Sequence, residues 1–166
     1  MKRLILTRHA KSSWDDPAIA DHDRPLNERG KGAAADLGQW LSSRGYVPGE
    51  ALVSDALRTW ETWSGIEAVL KSGATLKLKS ALYHAGPNVM LAVLRHAEGD
   101  VVAMVGHNPG IAEFAGRLLA RAPANPEFNR YPTGATLVVD FEVESWQDVG
   151  FGQGIVDDFI VPREIG

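Results

Sequence analysis

Short runs of β-branched and aliphatic residues alternate along the chain with longer segments in which apolar residues recur at helical spacing. Such runs are typical of buried strands, and the longer segments are typical of amphipathic helices. We predict strands at residues 2–7, 51–54, 75–78, 100–106, 135–143 and 154–161, the last on the weakest pattern. The pattern also allows the third strand to extend to Leu82.

Capping residues bound the predicted helices between these strands. The first helix has Asn27 as its N-cap and ends at Gly45, because asparagine caps N-termini and glycine adopts the left-handed conformation that ends helices. The other helices are predicted at residues 56–71, 87–95 and 111–121. The repeated strand and helix order predicts one α/β domain over residues 1–166, a three-layer α/β/α sandwich with a largely parallel central sheet.

Two of the predicted strands end in a histidine. The strand at 2–7 is followed by Arg8 and His9, and the strand at 100–106 is followed by His107. Ligands of parallel α/β sheets bind beyond the carboxyl ends of the strands, so both histidines are expected at one site. The Arg8 guanidinium adds a planar fork of donors suited to phosphate oxygens. The sequence therefore predicts a phosphoryl group as ligand.

Composition and charge narrow the class of protein. The chain has no cysteine, which excludes disulfides, thiolate catalysis and cysteine-bound metals and favours a cytosolic protein. The basic start is followed by an apolar run of residues 4–6 only, so we expect neither a signal peptide nor a membrane span. A net charge of −4 disfavours binding to nucleic acid or anionic membranes. None of the five histidines has metal-ligand spacing, and we expect no metal or cofactor.

Charge is also distributed unevenly along the chain. Residues 1–31 hold seven Lys or Arg against five acids, whereas residues 140–166 hold seven acids against Arg163 alone. The cations thus cluster near the predicted site. A local basic pocket on an acidic protein suits a small anionic group better than a long polyanion.

Three motifs in order along the chain carry a family resemblance. They are Arg8-His9-Ala10, Ser54-Asp55-Ala56-Leu57-Arg58-Thr59 and Gly106-His107-Asn108-Pro109-Gly110, and Asp23-Arg24-Pro25-Leu26-Asn27-Glu28-Arg29-Gly30 adds a fourth similar stretch. Together they resemble the histidine phosphatase superfamily, which has the phosphoglycerate-mutase-like fold. The likeness is closest to its small members, the SixA-type phosphohistidine phosphatases.

The resemblance implies a role for each matching residue. His9 would attack phosphorus and form a covalent phosphohistidine that water hydrolyses. Arg8 and Arg58 would hold the phosphoryl oxygens, and His107 would donate to one of them. Imidazole is nucleophilic only when neutral, so we expect one His9 ring nitrogen to be held as N–H by a backbone carbonyl. Arg24 either contacts the substrate or pairs with a carboxylate that fixes its loop.

One of these residues, and one further position, also have structural interpretations. Arg58 could instead be a solvated helix residue or pair with Asp55 or Glu61. Asp15 stands where many relatives have an amide, and its role stays open between a loop cap and a site residue.

The expected substrate follows from a missing acid. Larger relatives carry a glutamate that protonates an alkoxide leaving group, but between residues 75 and 101 this chain has only Glu98. Imidazole leaves without strong acid help, which favours phosphohistidine on a partner protein bound in an open pocket. One alternative is a small-molecule phosphomonoesterase that uses Tyr83 or His84 as its acid. The other is a catalytically silent phosphate-binding module.

Overall fold

The computed structural model describes residues 1–165 and contains every predicted strand and helix. The strands are β1 (Lys2–Arg8), β2 (Glu50–Ser54), β3 (Thr75–Lys79), β4 (Val101–Gly106), β5 (Thr136–Phe141) and β6 (Ile155–Ile160). The helices are α1 (Glu28–Arg44), α2 (Leu57–Leu70), α3 (Pro87–Arg95) and α4 (Gly110–Leu118). The Asn27 side chain caps α1 by accepting from the Gly30 N–H, and Gly45 ends α1 with a φ of 73°.

Most element bounds lie within two residues of the predicted ones, and two regions differ by more. Helix α4 stops at Leu118 rather than at Arg121, because the chain turns to form a parallel bridge between Leu119 and Gly154. Strand β3 ends at Lys79, and a short 3-10 turn follows at Ser80–Leu82 instead of an extension of the strand.

The six strands form one sheet in the order β3-β2-β4-β1-β5-β6. The pairings from β3 to β1 are parallel, and β5 and β6 join antiparallel at one side. The largely parallel sheet is therefore confirmed. The register aligns Arg8 with Gly106 and Val53 with Val105, so β1, β2 and β4 end at the same edge.

Each face of the sheet is covered by its own pair of helices. Ile5 and Val105 pack on the side of α1 and α2, whereas Leu4 and Met104 pack on the side of α3 and α4. Parallel strands covered on both faces consist of nearly continuous apolar residues, which explains the runs in the sequence. The three-layer sandwich is confirmed.

Gly110 is required by a close approach beside the site. A Cβ at this position would lie 1.7 Å from the carbonyl oxygen of Ala85. The start of α4 therefore packs directly against the loop that carries Tyr83 and His84. Within residues 1–165, no helix is both long and apolar enough to cross a bilayer.

Candidate active site

All five sequence-predicted site residues line one cavity of about 350 Å³ at the carboxyl edge of the sheet. The ring centroids of His9 and His107 lie 5.5 Å apart. The lining residues are Arg8, His9, Lys11, Ser12, Trp14, Asp21, Arg24, Arg58, His84, His107, Asn108 and Thr133. Lysine and arginine outnumber the single carboxylate in this set, so the cavity is positively charged.

The His9 ring is oriented by the backbone after β1. Its Nδ1–H donates to the carbonyl of Ala10 at 2.7 Å, since a carbonyl can only accept. The Ala10 N–H in turn donates to Thr62 Oγ1 on α2 at 2.9 Å. The expected backbone carbonyl partner is thus present, and the lone pair lies on Nε2.

Burial keeps the His9 ring neutral. The side chain is 6 % exposed, and desolvation, followed by repulsion from Arg8 and Arg58, lowers its pKa to about 4 against the opposing bond to Ala10. A neutral imidazole with a free Nε2 has the form that a nucleophile needs.

His107 has a polar partner that the sequence did not predict. Its Nε2 lies 2.8 Å from Ser54 Oγ at the end of β2. Desolvation, then the charge of Arg58, lowers the pKa of His107 to about 3. The neutral ring is therefore favoured. With the Ser54 hydroxyl donating to Nε2, the proton lies on Nδ1 and can be donated to an oxyanion.

Asp21 binds two of the three arginines of the pocket and is the main site residue that the sequence did not reveal. Arg58 Nη1 donates to the Asp21 carbonyl at 2.7 Å, and Arg58 Nη2 donates to its carboxylate at 3.0 Å. Arg24 Nε donates to the other carboxylate oxygen at 3.1 Å. The only sequence signal for this contact is the three-residue spacing of Asp21 and Arg24 along the chain.

Two further donors bind the same carboxylate. The Tyr83 hydroxyl donates to Asp21 Oδ2, and His84 Nε2 lies 3.1 Å from the same atom. The bond from Tyr83, then those from His84, Arg58 and Arg24, hold the pKa of Asp21 far below its usual range. Asp21 is therefore ionised near neutral pH and cannot donate a proton there.

Arg58 does not pair with either carboxylate considered from the sequence. Asp55 accepts from His22 Nε2 at 2.9 Å, and Glu61 accepts from the Leu26 N–H at 2.8 Å. With only 2 % of its surface exposed, Arg58 is not a solvated helix residue either.

Arg24 combines both roles considered for it. Its guanidinium donates to Ser12 Oγ at 2.8 Å and lies 3.6 Å from the centre of the Trp14 ring. Together with the bond to Asp21, these contacts fix the loop before α1. The same side chain lines the cavity, so it also lies where a ligand can contact it.

Two other carboxylates lie outside the cavity. Asp15 is exposed and does not line it. Glu98 precedes the amino end of β4, about 20 Å from the site edge by the length of that strand. His84 does line the cavity. It therefore lies where the acid of the phosphomonoesterase alternative would be needed.

Three buried donors of the cavity have no hydrogen-bond partner in the described chain. They are Arg8 Nε, Arg58 Nε and His107 Nδ1. A buried donor without an acceptor costs about 1–3 kcal/mol, and a phosphoryl group supplies several acceptor oxygens at once. The cavity is therefore suited to an oxyanion. Across residues 1–165, no group of three or more acidic or histidine side chains is arranged to hold a metal ion.

Comparisons with known proteins agree with this geometry. The sequence model of one protein family, the histidine phosphatase superfamily (branch 1), matches residues 4–83 of this chain. A structure from Nakamurella multipartitia, provisionally named as the phosphohistidine phosphatase SixA, superposes with a TM-score of 0.81 at 27% identity over 97% of this chain and 96% of that one. The chain belongs to the histidine phosphatase superfamily. The resemblance seen in the sequence motifs is confirmed.

Relatives of this chain occur in plants and mycobacteria. An uncharacterized chloroplastic protein of Arabidopsis thaliana is 36% identical over 70% of this chain, which spans 59% of that protein. An uncharacterized protein of Mycobacterium tuberculosis is 32% identical over 94% of this chain and 99% of its own length.

Because His9 and His107 are buried and neutral, we predict that the protein loses stability in mild acid. Each ring has a pKa of about 6.5 when unfolded, against about 4 for His9 and about 3 for His107 in the fold. Between these values the unfolded chain binds more protons, so the free energy of unfolding falls as pH falls. The loss between pH 7 and pH 5 is about 2 kcal/mol for each ring.

Urea unfolding of the wild type and of His107→Gln at both pH values measures this effect. The variant should lose about 2 kcal/mol less than the wild type over the same interval. His96→Gln, which removes an exposed histidine after α3, is the matched control. An identical pH dependence in wild type and His107→Gln would contradict the assignment of a neutral buried ring.

Proposed function

We propose that this chain hydrolyses phosphohistidine on a partner protein through a covalent phosphohistidine at His9. The observation that carries the proposal is the His9 ring itself, which is neutral, bound at Nδ1 and free at Nε2 beside the guanidinium groups of Arg8 and Arg58. The similarity to the SixA structure supports the same chemistry. This complete set of groups disfavours a silent phosphate-binding module.

In the first step, His9 Nε2 attacks phosphorus and the phosphorus–nitrogen bond of the substrate breaks. The electron pair of that bond goes to the substrate imidazole, which leaves as a neutral ring when its other nitrogen carries a proton. Arg8, Arg58 and the Nδ1–H of His107 hold the phosphoryl oxygens, because fixed donors stabilise charge without reorganising. The Ala10 carbonyl stabilises the positive charge that develops on the His9 ring.

In the second step, water attacks the phosphorus of phosphorylated His9. The bond between phosphorus and Nε2 breaks and returns its electron pair to the ring. His9 is again neutral with its proton on Nδ1, and the proton lost by water leaves on inorganic phosphate or passes to solvent. The Nδ1 proton of His9 therefore stays on the ring throughout the cycle.

Asp21 supports the choice of leaving group. It is a cavity carboxylate close enough to serve as an acid, but its pKa lies far below the usual range. Burial, then the hydrogen bond that its hydroxyl donates to Asp21, raises the pKa of Tyr83. Neither Asp21 nor Tyr83 is therefore suited to protonate an alkoxide leaving group. The imidazole that leaves from a protonated phosphohistidine already carries a proton.

An exposed rim supports a protein as the substrate. Trp14 is 75% exposed at the mouth of the cavity, where its ring stacks on Arg24. Ile19 on the same loop is also exposed. Exposed aromatic and aliphatic side chains at a binding site favour contact with a second protein.

A small-molecule phosphomonoesterase is the second candidate, and His84 favours it. The His84 ring lies in the cavity with its centroid 5.2 Å from that of His107. In this alternative, His84 would protonate the alkoxide. Its φ of 52° makes His84→Asn a suitable test variant, because asparagine tolerates left-handed backbone.

Leaving-group preference distinguishes the two candidates. We expect kcat/KM for a phosphohistidine peptide and for phosphoramidate to exceed that for phosphoserine by about 100-fold or more, the usual contribution of a missing general acid. The measurement is phosphate release from each substrate at equal ionic strength. Similar rates for all three, with phosphoserine hydrolysis lost in His84→Asn, would establish the phosphomonoesterase instead.

A further inference from the structure

A second cavity of about 200 Å³ adjoins the active-site pocket. Lys11 and Thr133 line both cavities and form their common wall. The start of α1 contributes Arg29 and Ala33, and the remaining lining comes from Pro132, Val161, Pro162 and Arg163. A ligand that fills the pocket at His9 can therefore extend into this cavity.

Two cations of the second cavity have no acidic partner. The side chains of Lys11 and Arg29 are exposed, and no carboxylate of the described chain lies within salt-bridge distance of either. Their neighbours are neutralised, since Lys31 pairs with Glu28 at 3.4 Å and Arg163 pairs with Glu127 at 2.9 Å. The cavity thus holds positive charge in a protein whose net charge is −4.

The relative position of these two cations is built into the fold. The Lys11 carbonyl accepts from the Asn27 N–H at 3.0 Å. A Cβ on Gly30 would lie 2.1 Å from that same carbonyl oxygen, so glycine is needed for the contact. Lys11 is therefore held against the first turn of α1, next to Arg29.

The lining indicates the chemistry of the occupant. The lining combines two cations, Lys11 and Arg29, with the apolar side chains of Ala33, Pro132 and Val161. A carboxylate on a short aliphatic stem matches both parts, because the charge pairs with the cations while the stem contacts the apolar side chains. We infer that this cavity binds an acidic side chain flanking the phosphorylated histidine of the partner protein. The inference rests on the proposed function.

Matched substrates test the inference. A phosphohistidine peptide with flanking glutamates is compared with the same peptide carrying glutamines, in the wild type, in Arg29→Gln and in Lys31→Gln. We expect the ratio of the two kcat/KM values to be about tenfold in favour of glutamate at low salt and to shrink as salt rises. Arg29→Gln should bring the ratio to about one, whereas Lys31→Gln, on the same helix, should keep it.

A small-molecule arm separates the two sources of a carboxylate. N-acetylphosphohistidine with a free carboxylate is compared with its methylamide in the same proteins. A preference that depends on Arg29 in this pair, but not in the peptides, would overturn the assignment to a protein side chain. A peptide ratio of one in the wild type, or an unchanged ratio in Arg29→Gln, would overturn the cavity as a binding site.

Failure of the proposed function gives a different result. In that case the wild type hydrolyses neither peptide nor phosphoramidate, or it hydrolyses phosphoserine as fast as both and loses that activity in His84→Asn, and both proposals are overturned. Phosphoramidate has no second group, so its hydrolysis with a peptide ratio of one overturns the cavity inference alone.

Discussion

Replacing His9 with Ala is expected to lower kcat/KM for every phosphoryl substrate by about 10⁴-fold or more, the scale seen when a covalent nucleophile is removed. No other side chain of the cavity has a neutral, buried ring nitrogen with its second nitrogen held by a backbone carbonyl. Steady-state phosphate release measures the loss. Substantial turnover by His9→Ala would disprove the nucleophile.

The covalent intermediate gives a second readout of the same prediction. After mixing with a radiolabelled phosphodonor, wild-type protein should keep its label after an alkaline quench and lose it after an acid quench, as phosphohistidine does. His9→Ala should take up no label. His22→Gln is the matched control, because His22 pairs with Asp55 and does not line the cavity. Circular dichroism confirms that each variant is folded.

Replacing Arg58 with Gln is expected to lower kcat/KM by about 10²–10³-fold, the usual cost of one oxyanion donor. The guanidinium is 2% exposed and its Nε has no partner in the described chain, so it is already desolvated and oriented before substrate binds. Arg58→Lys should recover only part of the activity, since an ammonium lacks the planar fork of donors. Full activity in Arg58→Gln would contradict the predicted clamp.

The same variant has a readout that general damage to the fold would not mimic. The charge of Arg58 is the second cause that lowers the pKa of His107, after desolvation. Removing it should raise the midpoint of the His107 ring titration followed by NMR. Arg44→Gln, which removes an arginine paired with Asp158, should leave that midpoint unchanged.

Much of the fold could be predicted because its signals are local. Asn27 and Gly45 bound α1 through their own side chain and backbone, and these positions are confirmed. The predicted end of α4, at Arg121, lies three residues beyond the observed end at Leu118, because the observed end depends on the bridge between Leu119 and Gly154. Such a contact joins distant parts of the chain, and no periodic pattern near Arg121 indicates it.

The active site could likewise be predicted only in part from the sequence. The sequence by itself determined that His9, His107 and Arg58 would meet, because each lies at the end of a strand or the start of a helix, and parallel strands end together. Only the tertiary structure decided their partners and protonation. Asp21 lies 37 residues from Arg58, and Ser54 lies 53 residues from His107. Their contacts, and the burial that lowers both histidine pKa values, arise only when the helices and loops pack around the sheet edge.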